Sequence, residues 1–244
     1  MQIVHDTLIR KLKEHTVLSP LEIAGLRSLP AQIRNLSANE DIVRQGDKPR
    51  VSVMVLSGMV GRYHMLGAGT RQYLSFHISG DLPDAQALFI DQMDHAVCSM
   101  NEATIALIPH ASMVALFASH PTIGFAIWRE TLIDAAIFRD AITNNGSREI
   151  RVRLAHFLCE QYYRANAAGL VQGGCCDLPL SQTQIAEALG SSLTTINRAM
   201  QALREQGAVD VKAGRLCVKN WKKLSAFGDF NPLYLHLRKP PAII

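Results

Sequence analysis

The 244-residue sequence has no run of about 18 apolar residues, so no segment is long and apolar enough to cross a bilayer as a helix. It has no uninterrupted apolar stretch near its start either. Charges are scattered through MQIVHDTLIRKLKEHTVL, which argues against a signal peptide. Cysteine is scarce and irregular: five residues, an odd number, with no repeated spacing. Cys98, Cys159 and Cys217 stand singly in apolar surroundings, where cysteine serves as a small core residue. Cys175 and Cys176 are adjacent in a glycine-rich loop, and neighbouring cysteines rarely bridge each other without strain. A reduced, cytoplasmic protein is the expectation. Also absent are the G-x-S-x-G elbow, the P-loop, H-E-x-x-H and a glycine-rich dinucleotide fingerprint, so no enzyme is expected. No internal repeat or low-complexity segment is present. What remains is an ordinary globular composition, 48% hydrophobic and 19% charged, long enough for two domains with a core each.

The stretch that says most is SQTQIAEALGSSLTTINRAMQALREQG, residues 181–207. Ser181 followed three residues later by Gln184 is a capping box. Ile185, Ala186 and Leu189 give a short apolar stripe, and Gly190 supplies a permissive turn. Ser191 or Ser192 caps a second helix whose apolar positions are Leu193, Ile196, Ala199, Met200 and Leu203, before Gly207 ends it. Its polar face shows Thr194, Asn197, Arg198 and Gln201, with Arg204 further along. This is the layout of a helix-turn-helix that reads bases from the start of its second helix. Two short helices around a glycine also occur as plain core packing, so neighbouring features matter. Residues 208–219 read as a hairpin turning at Ala213-Gly214, a wing beside the sugar–phosphate backbone. From Ser181 to Lys223 seven cations stand against three acids, leaving +4, and the whole chain is also +4. The rest is therefore neutral, and one basic end on a neutral body is the footprint of a nucleic-acid reader.

The region before it changes texture twice. Residues 2–30 carry helical spacing at Leu8, Leu12 and His15, then a capping box at Ser19-Pro20-Leu21-Glu22. From about 31 to 109 short β-rich runs alternate with turns. Strands are expected at Ile42-Val43, Val51–Leu56, Val60–Leu66, Gln72–His77 and Ala103–Ile108, with one turn at Gly67–Gly69. Their short, regular spacing indicates a small β sandwich or barrel. Pro121 then opens a long helix to about Asn144, with two apolar stripes. Ile123, Ile127, Thr131, Ala135, Phe138 and Ile142 form one; Trp128, Leu132 and Ala136 form the other. Two faces suggest two partners, the β domain and a second copy of the helix, with Ile127, Thr131, Ala135, Phe138 and Ile142 taken as the dimer seam. One wide face in a single core is the simpler alternative. Asn145-Gly146-Ser147 should break the helix, Arg148–Ala165 should start the last domain, and Leu178–Leu180 should be a short strand. The tail, Leu233–Ile244, should lie along a surface or fray.

Arg44-Gln45-Gly46-Asp47, Leu56-Ser57-Gly58, Gly80-Asp81, the helix from Pro121 and above all Leu180–Val218 resemble the Crp/Fnr family of bacterial transcription regulators. The resemblance implies an α+β chain in three parts. An N-terminal β-roll, a cyclic-nucleotide-binding-like jelly roll with its leading helices, takes 1–120; a dimerisation helix and hinge 121–146; a winged helix-turn-helix 147–244. It implies a cytoplasmic homodimer on double-stranded DNA that contacts RNA polymerase. DNA contacts would come from Ser181, Thr183, Ser192, Leu193, Thr194, Asn197, Arg198, Lys212 and Arg215. Departures are as informative. Cyclic-nucleotide-binding members carry Gly-Glu and then Arg-Ser or Arg-Thr after Gly-Asp; here Asp84-Ala85 and His95-Ala96 stand there. Any effector at those four residues is therefore not expected to be cyclic AMP, and no cofactor is identified. Iron–sulfur members need cysteines near the N-terminus, and the first here is Cys98. Haem or metal sensing through His64, His77 or His95, an oxygen-rich site at Asp84, Asp91, Asp94 and His95, and a roll with no switch at all remain open. At the reading end Thr194 replaces a common glutamate, so the base opposite it should differ, while Arg198 suits guanine and Asn197 adenine.

Overall fold

The computed structural model describes residues 1–67 and 69–243. Ala68, inside the expected turn at Gly67–Gly69, and Ile244, at the end of the tail, lie outside the described residues. Two compact units are present: Met1–Gly69 with Leu74–Ala135, and Thr70–Tyr73 with Ala136–Ile244. The chain begins with α1 (Gln2–Lys13) and α2 (Pro20–Arg27), then β1 (Gln32–Leu36), β2 (Asp41–Val43), β3 (Val51–Ser57), β4 (Val60–Met65) and β5 (Arg71–His77). A 3-10 turn (Ala85–Leu88), β6 (Ala96–Ser99), β7 (Ala103–Pro109), α3 (His110–Ser119) and the long α4 (Pro121–Ser147) follow.

The roll is two antiparallel sheets, β1–β7–β3 and β2–β6–β4–β5. Leu36, Val53, Val55 and Ile105 of the first meet Val43, Val60 and Val97 of the second in one core. The alternate residues of β3, Met54 and Leu56, face the other way. They pack with Leu8 and Leu12 of α1, Met113 and Leu116 of α3, and Ile123 and Ile127 of α4. β3 is thus buried on both faces, which is why VSVMVL reads as an almost unbroken apolar run rather than an alternation. Gly58 turns β3 into β4 at φ +78°, and a Cβ there would sit 2.6 Å from Glu102 O.

Beside this core α1 and α4 share a cluster of charge. Lys11 Nζ lies 3.1 Å from Glu14, 3.1 Å from Asp81 and 3.4 Å from Glu130 of α4. The His15 ring is 3.8 Å from both glutamates. Burial pushes the Glu130 carboxyl up to about 7; Lys11 opposes the shift, while Glu14 and Asp81 add to it.

The second unit holds α5 (Ile150–Ala167), β8 (Cys175–Asp177), α6 (Gln182–Ala188), α7 (Leu193–Glu205), β9 (Val209–Lys212), β10 (Arg215–Val218) and α8 (Trp221–Phe227). Its sheet has the order β8–β10–β9. Leu154 and Leu158 of α5, Ile185 of α6, Ile196, Met200 and Leu203 of α7, Leu216 and Leu224 are all buried. The residues after α8 close over α5. Phe230 packs edge-on to Trp221 and Tyr163, and Tyr234 OH donates to Glu160 Oε2 at 2.9 Å. His156 is held at 2.6 Å from Asp140 and 3.0 Å from Gly228 O.

Several expectations need correction. β1, β6 and α3 were not legible as separate elements; β6 is only four residues, too short for a periodic signal. The strand expected at Leu178–Leu180 lies instead at Cys175–Asp177, where β10 offers hydrogen bonds. That pairing sets Cys217 opposite Cys175, and the two form a disulfide with a Cα–Cα distance of 4.0 Å, so Cys217 is not a lone core cysteine and the chain is not fully reduced as expected. α4 does not stop before Gly146 but runs to Ser147. Asn144 donates to Arg153 O at 3.2 Å and Asn145 to Ala188 O at 3.3 Å, tertiary bonds that offset a glycine's cost of about 1 kcal/mol. Within the tail expected to lie along a surface or fray, Leu233 is 76% exposed but Leu235 is buried, at 2%.

Two measurements follow from this packing. Gly58→Ala should lower stability by more than about 1 kcal/mol in a urea melt, because φ is positive and the space is taken by backbone. Below about pH 4.5 Glu130 is protonated whether folded or not, and contributes nothing. Between there and about 7 the folded chain holds a proton the unfolded chain has lost, so stability falls as pH rises. The loss is on the order of 3 kcal/mol and is complete above that window. Urea melts from about pH 4 to pH 8 should show a shallower decline in Glu130→Gln.

Candidate nucleic-acid interface

The second unit's reading helices are built as their caps dictate. Gln184 N–H donates to Ser181 Oγ at 3.1 Å while Ser181 N–H donates to Gln184 Oε1 at 2.8 Å, a closed capping box. Gly190 takes φ +58° in the turn. Ser192 Oγ then accepts from Thr195 N–H at 3.2 Å and starts α7. Both serines predicted to touch DNA therefore have their hydroxyls engaged by their own helices. Ile196, Ala199, Met200 and Leu203 are buried, which turns Thr194, Asn197, Arg198 and Gln201 to solvent. Thr183 of α6 is exposed, and so is Leu193, at 44%. Among the described residues the side chains of Thr194, Asn197 and Arg198 make no hydrogen bond or ion pair, so their polar groups are available. Gln201 is tied to Glu205 at 2.9 Å. Arg204, 3.4 Å from Asp210 and donating to Val211 O, fastens α7 to the wing.

The wing itself carries an electrostatic oddity. Ala213 at φ 51° and Gly214 at φ 73° make its turn, and Lys212 and Arg215 flank it, both exposed and directly opposite in the ladder. Like charges facing each other across strands destabilise a hairpin. An anion bound beside the turn would remove that cost.

α4 exposes a stripe that the sequence reading misplaced. Ile127 is fully buried beside Ile123, so it faces the core and not a seam. Thr131 and Phe138 are half-buried. The exposed apolar line is Phe125, Trp128 and Leu132, at 62%, 52% and 49%, continued by half-buried Ala135, then Arg139 and Ile142 at 74%. Its alternating steps of three and four are those of a coiled-coil seam, whereas the stripe read from sequence stepped mostly by four.

The four residues named for an effector are all buried: Asp84, Ala85, His95 and Ala96. Asp84 Oδ1 accepts from Val53 N–H at 2.8 Å, and burial raises its carboxyl to about 7 against the pull of that bond and of Arg62. His95 is lowered by burial and by the charge of Arg62, with Asp94 opposing. Its neutral ring lies 2.7 Å from Asp94 and 3.3 Å from Gln86. Among the described residues no group of three or more His, Cys, Asp or Glu is placed to hold a metal ion. Arg62, 1% exposed, was missed. Period two along β4 would have found it, because a strand that turns Val60 inward turns Arg62 inward as well.

Residues 33–120 match the cyclic nucleotide-binding domain family, and residues 152–227 match the Crp-like helix-turn-helix domain family. Similar proteins include the nitrogen fixation regulation protein FixK of Azorhizobium caulinodans, 20% identical over 80% of this chain and 77% of that one. The fumarate and nitrate reduction regulatory protein of Vibrio cholerae is 22% identical over 90% of this chain and 87% of that one. Among solved structures, FixK2 from Bradyrhizobium japonicum superposes with a TM-score of 0.74 at 24% identity, covering 82% of this chain and 98% of that one. A β-roll, a long helix and a winged helix-turn-helix, matched in that order, place the chain in the Crp/Fnr family of bacterial transcription regulators.

Proposed function

We propose that the chain acts as a homodimer on double-stranded DNA, reading sequence with α7 of each copy in the major groove. The observation that carries this is the face of α7. Thr194, Asn197 and Arg198 stand exposed and unengaged above a buried stripe that fixes their direction. Arg198 supplies a fork suited to guanine O6 and N7, and Asn197 an amide suited to adenine. Leu193 and the methyl of Thr194 offer apolar contact to a thymine methyl. Lys212 and Arg215 hold phosphate at the wing, relieving their mutual repulsion. Phe125, Trp128, Leu132, Ala135 and Ile142 pair across the dimer axis. Contact with RNA polymerase belongs to the same reading, as the family implies.

The roll in this reading does not take a cyclic nucleotide. Anion capture needs free donors and positive charge. His95 is neutral with both ring nitrogens engaged, Asp84 is a buried acid that accepts from Val53 N–H, and the donors of the nearby Arg62 are already spent on Pro83, Gln86 and Asp134.

Arg198→Ala should leave the fold intact and weaken binding to a site selected from random duplexes by about 1–3 kcal/mol per half-site. Mobility shifts decide it, and unchanged affinity would remove Arg198 from the reading set. Leu132→Glu places a carboxylate in the seam, where desolvation is costly, yet leaves each copy folded because Leu132 is exposed there. Sedimentation should show monomer for this variant and dimer for wild type; a wild-type monomer at about micromolar concentration contradicts the seam.

A further inference from the structure

Arg62 places a full positive charge inside the roll that DNA contact does not use. Its side chain reaches three separate pieces of chain. Nε donates to Pro83 O at 2.6 Å, Nη2 to Gln86 Oε1 at 3.4 Å, and Nη1 to the Asp134 carboxylate of α4. A roll strand, the 3-10 turn and the long helix therefore meet at one guanidinium. The arrangement is backed from behind. Gln86 Nε2 donates to the neutral His95 ring at 3.3 Å, and His95 Nδ1 donates to Asp94 at 2.7 Å. Each group donates outward from the arginine, so the chain of bonds orients Gln86 to accept from it. On the other side α4 runs on from Asp134 to Ser147, thirteen residues closer to the reading helices in sequence.

We propose that the Arg62–Asp134 pair is a built-in tether that sets α4 on the roll, doing internally what a bound small molecule could do, so that the chain binds DNA without an effector. The inference rests on the DNA-binding reading for its consequence, but not for the tether itself. A buried ion pair is a poor device for stability alone, because desolvation offsets much of its attraction and an apolar pair of similar volume packs as well. What a guanidinium adds is direction. Its planar fork fixes three acceptors at set angles, which a lysine or a methionine does not. Arg62 and Asp134 are thus positioning residues, acting on DNA through α4.

The test compares wild type, Arg62→Met, Arg62→Lys and Asp134→Asn, each checked for folding by circular dichroism and thermal melts. Hydrogen exchange of the α4 amides reads the tether. Mobility shifts on a selected duplex read its consequence, with native mass spectrometry establishing that the purified chain carries no small molecule. The proposal expects ligand-free wild type to bind. It expects Arg62→Met and Asp134→Asn to stay folded, exchange faster along α4 and lose at least about tenfold in DNA affinity. Arg62→Lys should fall between wild type and these two variants. If Arg62→Met does not fold, Asp134→Asn carries the test alone, since it leaves the arginine in place. Folded variants with wild-type exchange and affinity would overturn the tether. Wild type that binds DNA only after a small molecule is added would overturn effector independence. Wild type that binds no selected duplex, with α4 exchange still raised in the variants, would instead overturn the DNA-binding reading.

Discussion

α4 must satisfy two apolar faces at once. Ile123, Ala126 and Ile127 go under the roll, where they join β3 and α1 in one core. Phe125, Trp128 and Leu132, on the same turns of helix, are left outside. A helix has only one side toward any given core, so burying the first set obliges the second to face away. The roll's outer core and the exposed apolar stripe are therefore one constraint seen from two sides. The doubly buried β3 shows the same logic: Val53 and Val55 fill the roll while Met54 and Leu56 meet the helices.

Two clusters of charge in the first unit touch α4. Lys11, Glu14, Asp81 and Glu130 bind α1 to it, and Arg62 binds β4 and the 3-10 turn to it. Hydrophobic contact is non-directional and leaves a helix free to slide or rotate a little on its core. Hydrogen-bonded charges are directional and do not tolerate such movement. The two clusters give α4 a defined rotation that its apolar stripe alone would leave loose.

In the second unit direction comes from caps. Ser181 and Ser192 spend their hydroxyls on starting α6 and α7, and Gly190 makes the turn between them. Arg204 then holds the wing to the end of α7. With those groups engaged, Thr194, Asn197 and Arg198 are left as the polar groups that nothing internal claims.

The reading helices were legible because their signals are local. A capping box, a glycine turn and a 3.6-residue stripe all act within a few residues, so Ser181, Gly190 and the buried line from Ile196 to Leu203 could be assigned from sequence alone, and the second cap narrowed to Ser191 or Ser192. The hairpin at Ala213-Gly214 and most roll strands were legible for the same reason. Pairing across the chain was not. Cys217 meets Cys175 only because β10 pairs with β8, and β6 exists only because β2 and β4 flank it. The sequence also showed that α4 has two apolar stripes, but not which one faces the roll, since Ile127 and Leu132 are equally apolar. Arg62 was hidden by its own type: an arginine reads as surface until a strand's alternation turns it inward and Asp134, seventy-two residues away, receives it. Composition and periodicity determined most of the helices and strands and which end carries the DNA-binding fold. Only tertiary packing decided which faces meet, because the free energy of burial depends on a partner that no single segment contains.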